Sequence, residues 1–275
     1  MSQISPSTNS IFGAFRKYFA AARIAAFNRF AYLGDTLSRP LFFAMLLFVF
    51  VQLWKKVFTA DRPPIEGFGA LETIWYLVIT ESILLSVPRL EGRVDEEVKS
   101  GAIAHLIGRP CSYVLYHLAA GIGETIPVFF LNILVGSVTT CFLIGPPPCS
   151  MISVAVLPVC GVLAFTLHIY ISLAISLTAF WVEDAAPFYW IYQKMLFIFG
   201  GLMIPIEFFP ETLRKISEIL PFRAVLSGPA RIFVRFNIDD ALRIIIWQIL
   251  WILIFSLATH AIFRIGARRV ELNGG

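Results

Sequence analysis

Residues 111–182 read CSYVLYHLAAGIGETIPVFFLNILVGSVTTCFLIGPPPCSMISVAVLPVCGVLAFTLHIYISLAISLTAFWV, and apart from cysteine and tyrosine their only ionisable side chains are His117, Glu124 and His168. A helix needs roughly 20 apolar residues to cross hydrocarbon. Pro146, Pro147 and Pro148 must break any helix, because proline lacks the amide proton and clashes with the preceding turn. The stretch therefore reads as two membrane spans joined by a tight turn over residues 145–150. The whole chain carries the same signature. Its 275 residues are 58% hydrophobic and 15% charged, with a mean hydropathy of +0.78, whereas soluble domains are roughly a quarter charged. A soluble globular domain is excluded.

Working outward, residues 71–87 form a span with Glu72 near one end and Glu81 inside, closed by Pro88. An earlier span covers 37–54, between Arg39-Pro40 and Lys55-Lys56, and residues 59–69 with Pro63-Pro64 form a loop. Beyond residue 182, Glu183-Asp184 and Pro187 mark a turn. A fifth span follows to about residue 206, with Lys194 inside and Gly200-Gly201 in its outer half. A last span covers 244–263 and is terminated by Arg264, Arg268 and Arg269. At the N-terminus, Phe12, Phe15, Phe19, Ala22 and Ala26 recur at helical spacing opposite Arg16 and Lys17, the pattern of an amphipathic helix lying in the membrane interface. Residues 207–240 are neither a span nor an ordinary loop. Pro210 is placed to start a short helix with Leu213, Ile216 and Leu220 on its apolar face, Pro221 stops it, and FRAVLSGPARIFVRF then has the character of a segment that dips into the membrane. The expected fold class is all-α: a polytopic membrane protein with six transmembrane helices, an N-terminal interfacial helix and a re-entrant segment before the last span.

The one long charged stretch between spans is RLEGRVDEEVKSGAIAHLIGRP, residues 89–110. Val94, Val98, Ala102 and Leu106 recur every four residues with Ile103 and Ile107 beside them, so one face is apolar while Glu96, Glu97, Lys99 and Ser100 point elsewhere. Gly101 is expected to split the stretch into two short helices, and Pro110 to end the second. A solvated loop with an accidental repeat is the plainer reading of the same residues, and pattern alone weighs the two equally.

Charge excludes some partners and orients the chain. A net charge of +4, scattered along the sequence, and an aromatic set dominated by 26 Phe give no nucleic-acid surface. Lys and Arg in short loops are retained inside. This places the N-terminus and the 89–110 loop on the inner side and leaves the basic residues between 214 and 243 as an apparent violation. The cysteines at 111, 141, 149 and 160 share no metal-ligand spacing. Cys141 and Cys149 could meet at one membrane surface, although isolated membrane cysteines are usually small apolar fillers. No cleavable signal peptide is expected, since the first apolar run follows several basic residues without a small-residue cleavage site.

No catalytic constellation is evident. The chain lacks G-x-x-x-x-G-K-[ST], so ATP would have to be hydrolysed elsewhere. Glu96-Glu97 suggests an intramembrane metalloprotease, but Gly101 stands where that comparison needs Arg, and neither His117 nor His168 has a partner at i+4. Glu81, Glu124, His168 and Lys194 lie in predicted spans, where ionisable groups are costly and mark either a proton or substrate path or structural pairing. Glu81 with Lys194 is the first pair to test.

The interfacial helix, the six spans, EEVKSGAIAHLIGRP (96–110) and FWVEDAAPFYWIYQKMLFIFGGLMIPIEFFPETLRKISEILPF (180–222) together resemble the permease subunits of type 2 ABC exporters, particularly a small six-span subgroup. The most specific element is G-[LM]-x-x-P-x-x-x-F-P with a following P-F, here Gly201, Leu202, Pro205, Phe209, Pro210, Pro221 and Phe222. The resemblance implies one permease domain over 1–275 that dimerises with a second copy or a different permease subunit and binds ABC ATPase subunits, which hold the ATP, so that the chain itself needs no cofactor. It implies that 11–30 is the connecting helix and that Glu91, Glu97, Gly101 and Pro110 lie in a cytosolic coupling region over 89–110. It also implies that Gly201, Pro205, Phe209, Pro210, Pro221 and Phe222 belong to an external gate within the 205–240 segment. The second cytosolic loop, 182–187, would be a weak docking surface. The implied setting is the bacterial inner membrane with both termini cytoplasmic, and the implied cargo an amphipathic or lipid-linked solute. Two rivals stand beside it: a proton-coupled secondary transporter using Glu81 and Glu124, and a structural anchor for a soluble complex.

Overall fold

The computed structural model describes residues 9–31, 33–58, 64–108 and 111–273. All of their regular structure is helical apart from an isolated bridge between Ile65 and Phe68. The first helices are α1 (Asn9–Ala31), α2 (Leu33–Val57) and α3 (Ala70–Ser86). The start of α3 is fixed by Glu72, whose carboxylate reaches back to the Gly69 amide at 3.0 Å, satisfying one of the donors a helix start leaves open. Pro88 follows its end, and after Arg89 the chain resumes as α4 (Leu90–Lys99) and α5 (Ala102–Ile107). Gly101 separates them at φ +74°, a left-handed turn that glycine enters without a Cβ clash. The predicted break at this glycine is therefore present.

The quoted stretch forms two helices, α6 (Tyr113–Leu143) and α7 (Met151–Ser176), the latter prolonged by a 3-10 turn over Leu177–Phe180. Ser150 and Ser153 cap the start of α7 reciprocally. Next come α8 (Ala186–Phe199), α9 (Glu211–Ile219), α10 (Pro221–Val225), α11 (Ser227–Val234) and α12 (Ile238–Asn273). Five stretches are long and apolar enough to cross a membrane: Pro40–Val57, Ala70–Lys99, Tyr113–Leu143, Met151–Phe180 and Ile238–Arg268. Where a fifth span was expected over 187–206, α8 has 14 residues. At 1.5 Å per residue it covers about 21 Å of a hydrocarbon core about 30 Å thick. It ends because Gly201, at φ +66°, turns the chain.

The final arginines do not stop α12, which runs 36 residues, because arginine ends an apolar segment without disfavouring a helix. In α9 the apolar face is turned outward: Ile216 and Ile219 are exposed and the buried residue is Ser217, as suits a helix at a lipid boundary.

The main core joins α2, α3, α6, α7 and α8 around Phe43, Trp75, Phe165 and Tyr192, and it takes in Val225 and Phe233 of α10 and α11. Every residue of α11 except Arg231 is buried, so the segment expected to dip inward packs inside the bundle. A second cluster places Leu90, Val94 and Ile103 against Tyr113, Ile169 and Leu173. Each of these aliphatic side chains contributes about 1.5–3 kcal/mol on burial, enough to hold α4 and α5 to the bundle. Ahead of the exposed Gln52, Lys55 and Lys56, α2 turns Leu41, Phe42, Met45 and Phe48 outward, an apolar face that hydrocarbon or another membrane helix covers.

Candidate functional site

Two polar regions stand at opposite ends of α3. Beyond its C-terminal end, α4 is tied to α6 through Glu97. One carboxylate oxygen, Oε2, accepts hydrogen bonds from Tyr113 Oη at 2.5 Å and from His117 Nε2 at 3.1 Å. His117 is 1% exposed, so these bonds are made largely out of water, where losing the acceptor is costly. Tyr113 also stacks on Phe263 of α12 at 5.0 Å between ring centroids.

One turn earlier, Arg93 Nη1 donates to Glu124 Oε1 at 2.8 Å, and Arg29 Nη2 lies 3.6 Å from Glu124 Oε2. Glu124 thus joins α1, α4 and α6. Of the two readings open for it, a proton or substrate path and structural pairing, the two guanidiniums from flanking helices give it pairing. Close approach of α1 is built into the sequence: a Cβ on Gly123 would lie 2.1 Å from the Ala22 carbonyl oxygen. The α1 face turned to α6 carries Tyr18, which accepts from the Ser112 amide at 3.0 Å, and the buried Ala25. Phe19 and Phe27 remain exposed.

Of the residues expected in the coupling region, Glu97 and Gly101 sit at the contact and the turn just described, and Glu91 is half-buried with Oε2 unpartnered among the described residues. Pro110 lies outside the described residues. The outward tip consists of Gly101, Ala102, Ala104 and Gly108 with Glu96, Lys99 and His105, a small-residue surface that another protein can approach closely. Lys99 pairs with Asp95 and also feels Asp184 and Glu183 of the loop between α7 and α8.

At the other end, the turn after α8 is held by α3. Tyr76 Oη donates to the Gly201 carbonyl at 2.6 Å and Thr80 Oγ1 to the Leu202 carbonyl at 2.9 Å. A Cβ on Gly201 would meet Ile206 at 2.7 Å and Tyr76 at 2.8 Å. Pro205 precedes a 3-10 turn over Ile206–Phe208, Pro210 caps α9 and Pro221 opens α10. Phe222 packs on Phe199 and Tyr192 at 6.3 and 6.0 Å. Phe209, expected in the gate, has a neighbour that does more: Phe208 meets Trp54, Phe58 and Phe68 at 6.0, 6.5 and 5.8 Å.

Among the described residues, four of the six basic residues between 214 and 243 have partners, Lys215 on Glu211 among them. Arg231 contacts Glu207 at 3.1 Å and Asp240 at 2.9 Å, and Arg223 lies 3.5 Å from Glu218. Arg235 donates to the Glu66 carbonyl at 2.9 Å and covers the Phe68 ring at 5.4 Å. Acidic and carbonyl partners folded against them thus account for most of this segment's basic residues, Arg214 and Arg243 excepted.

The other intramembrane polar residues do not converge. Lys194 is exposed, 5.1 Å over the Trp190 ring, and makes no ion pair with Glu81. Glu81 is 3% exposed with Oε1 unpartnered among the described residues. His168 Nδ1 shares a 2.8 Å hydrogen bond with Tyr192 Oη. The cysteines are unpaired, so Cys141 and Cys149 do not meet.

Sequence reasoning missed Tyr76 and Thr80. Their only signal is two hydroxyls four residues apart on a helix that also carries Thr73, Ser82 and Ser86. It also missed Arg93, whose partner is 31 residues away, and Gln248, whose amide donates to the Cys160 and Ala224 carbonyls at 3.0 and 2.9 Å.

Residues 42–274 match the family described as ABC-2 family transporter protein, a span that takes in every helix above except α1 and the start of α2. A comparison with curated proteins finds no match.

Proposed function

The chain belongs to the ABC-2 transporter family, and from that premise we propose that this multi-pass permease subunit exports an amphipathic or lipid-linked solute with energy from separate ABC ATPase subunits. It pairs with a second copy or a different permease to complete the pathway, in the bacterial inner membrane with both termini cytoplasmic. Glu91, Glu97, Gly101 and Pro110 belong to the surface the ATPase moves, and Gly201, Pro205, Phe209, Pro210, Pro221 and Phe222 to the exit.

One observation carries this reading. The same helix, α3, continues at one end into α4, past Val87, Pro88 and Arg89, and along its length grips the Gly201 turn through Tyr76 and Thr80. A displacement of α4 is passed through the 87–89 junction to α3 and on to the exit turn by two hydrogen bonds made near the middle of α3. The ion pairs at Glu124 add α1 to the moving unit.

The rival reading, proton coupling through Glu81 and Glu124, keeps support only at Glu81, whose unpartnered oxygen is the kind of buried group a proton could satisfy. Purification from native membranes tests the assembly, because an ABC ATPase must accompany the chain. In the reconstituted complex, Glu97→Arg with Gly101→Pro should abolish transport while ATP hydrolysis and membrane insertion persist, since proline cannot adopt positive φ. Unchanged transport in that variant refutes the coupling role. Loss of transport with proton coupling in Glu81→Gln favours the rival.

A further inference from the structure

At the end of the bundle remote from α4 and α5 lies a chamber of about 610 Å³, walled by the loop over 64–69, the Ile206–Phe208 turn and α9 to α12. Its volume falls in the range of small-molecule sites, roughly 300–1,000 Å³. Four arginines and four carboxylates line it. A purely anionic ligand would therefore have to displace carboxylates already in place, and a purely cationic one would have to displace guanidiniums.

Most of these charges satisfy one another, but three positions do not. Arg214 is half-buried, lines the chamber and has no side-chain ion pair or hydrogen bond among the described residues. The Glu66 carboxylate, exposed and likewise unpaired, is presented from a backbone at φ +49°, a left-handed conformation unusual for a residue with a Cβ. Glu207 uses Oε1 on Arg231 and leaves Oε2 buried without a partner. The chamber thus offers one unused cation and unused carboxylate oxygens on the same surface.

It does not end in water on every side. A narrow groove shares Glu218, Arg223 and Asp240 with the chamber and continues between Leu220, Ile244 and Trp247, beside the exposed Ile219 of α9. Polar space thus passes directly into apolar space, as an amphiphile requires.

We propose that this chamber binds the headgroup of a zwitterionic phospholipid, a phosphate diester joined to an amine, with its chains laid along the groove beside Trp247. Arg214 takes the phosphate oxygens, for which a guanidinium fork is well shaped. Glu66 and Glu207 Oε2 take the amine. The site holds whether or not this lipid is the transported solute.

The test uses the full chain in detergent, offered equal amounts of phosphatidylethanolamine and phosphatidylglycerol, with retained lipid counted by native mass spectrometry. Phosphatidylethanolamine should be retained about tenfold over phosphatidylglycerol, the factor expected for one charge-assisted contact. Glu66→Gln should erase that preference, whereas Arg214→Gln should lower retention of both lipids, because both carry the phosphate. Because neither side chain supports another residue, both variants should remain monodisperse. Arg214→Lys keeps the charge and gives an independent reading, with retention falling by about threefold or less. Soluble glycerophosphoethanolamine distinguishes two sources of the same chemistry: competition means that the headgroup alone suffices, and absence of competition means that the membrane-anchored chains are needed. Equal retention of the two lipids by the native chain, an unchanged preference in Glu66→Gln, or undiminished retention of both lipids in Arg214→Gln overturns the proposal.

Discussion

Replacing Glu97 with alanine should loosen the α4 contact without unfolding the bundle. The substitution removes the acceptor of the Tyr113 and His117 hydrogen bonds. Hydrogen bonds to a charged group contribute about 1.5–3 kcal/mol each. Glu97 is 20% exposed on its side chain, so water recovers part of the loss and the lower figure applies, about 3 kcal/mol for the two. That corresponds to about a 150-fold rise in the population with α4 detached. Hydrogen exchange followed on a peptide from α4 reads this population directly, because local opening sets the exchange of its protected amides. Glu97→Gln retains a carbonyl acceptor and should cost about 1 kcal/mol, or roughly fivefold. Lys99→Ala, at an exposed pair, should leave exchange unchanged. An exchange rate in Glu97→Ala within about twofold of the native chain, where 150-fold is expected, would refute the claim that this carboxylate fastens α4 to α6.

Gly123→Ala should push α1 away from α6, since the new methyl meets the Ala22 backbone, and trypsin should then cleave faster at Arg23 than in the native chain. Tyr76→Phe should remove about 1 kcal/mol from the Gly201 turn and lower the thermal midpoint by about 2–4 °C, measured by differential scanning fluorimetry. Gly67→Ala should release Arg235 from the 64–69 loop, because a Cβ there would lie 2.5 Å from the Arg235 Nη1; faster hydrogen exchange over 64–69 is the readout. Maleimide should label the exposed Cys141 in the folded protein and reach the buried Cys160 only after denaturation, with identical gel mobility in the presence and absence of reductant.

Hydropathy and proline placement located α2, α3, α6 and α7 closely because each relies on a strong local signal: a long apolar run bounded by Pro, Gly or charge. Gly101 was legible for the same reason, since one residue type carries the turn. Helix ends governed by weaker preferences were not, as the run of α12 through Arg264 and Arg268 illustrates. The failure at α8 has a different cause. Its apolar pattern continues past residue 199, yet the positive φ of Gly201 and its tight contact with Tyr76 override the run. The partners of the charged residues were the least legible. Pairing Glu81 with Lys194 assumed that buried charges seek one another, whereas Lys194 reaches the surface and Glu124 draws its arginines from α1 and α4. Such contacts depend on which faces meet, information that spacing within one helix does not carry.

The proline-free α12 touches both ends of the molecule, through Asp240 to Arg231 at its first turn and through Phe263 to Tyr113 some six turns later. With α3 it makes two stiff struts between the same pair of platforms. A frame braced in this manner resists piston-like sliding of either strut alone and yields most easily in shear, both struts leaning together. A bridge engineered between the two struts at mid-height would lock that lean even though it touched neither platform.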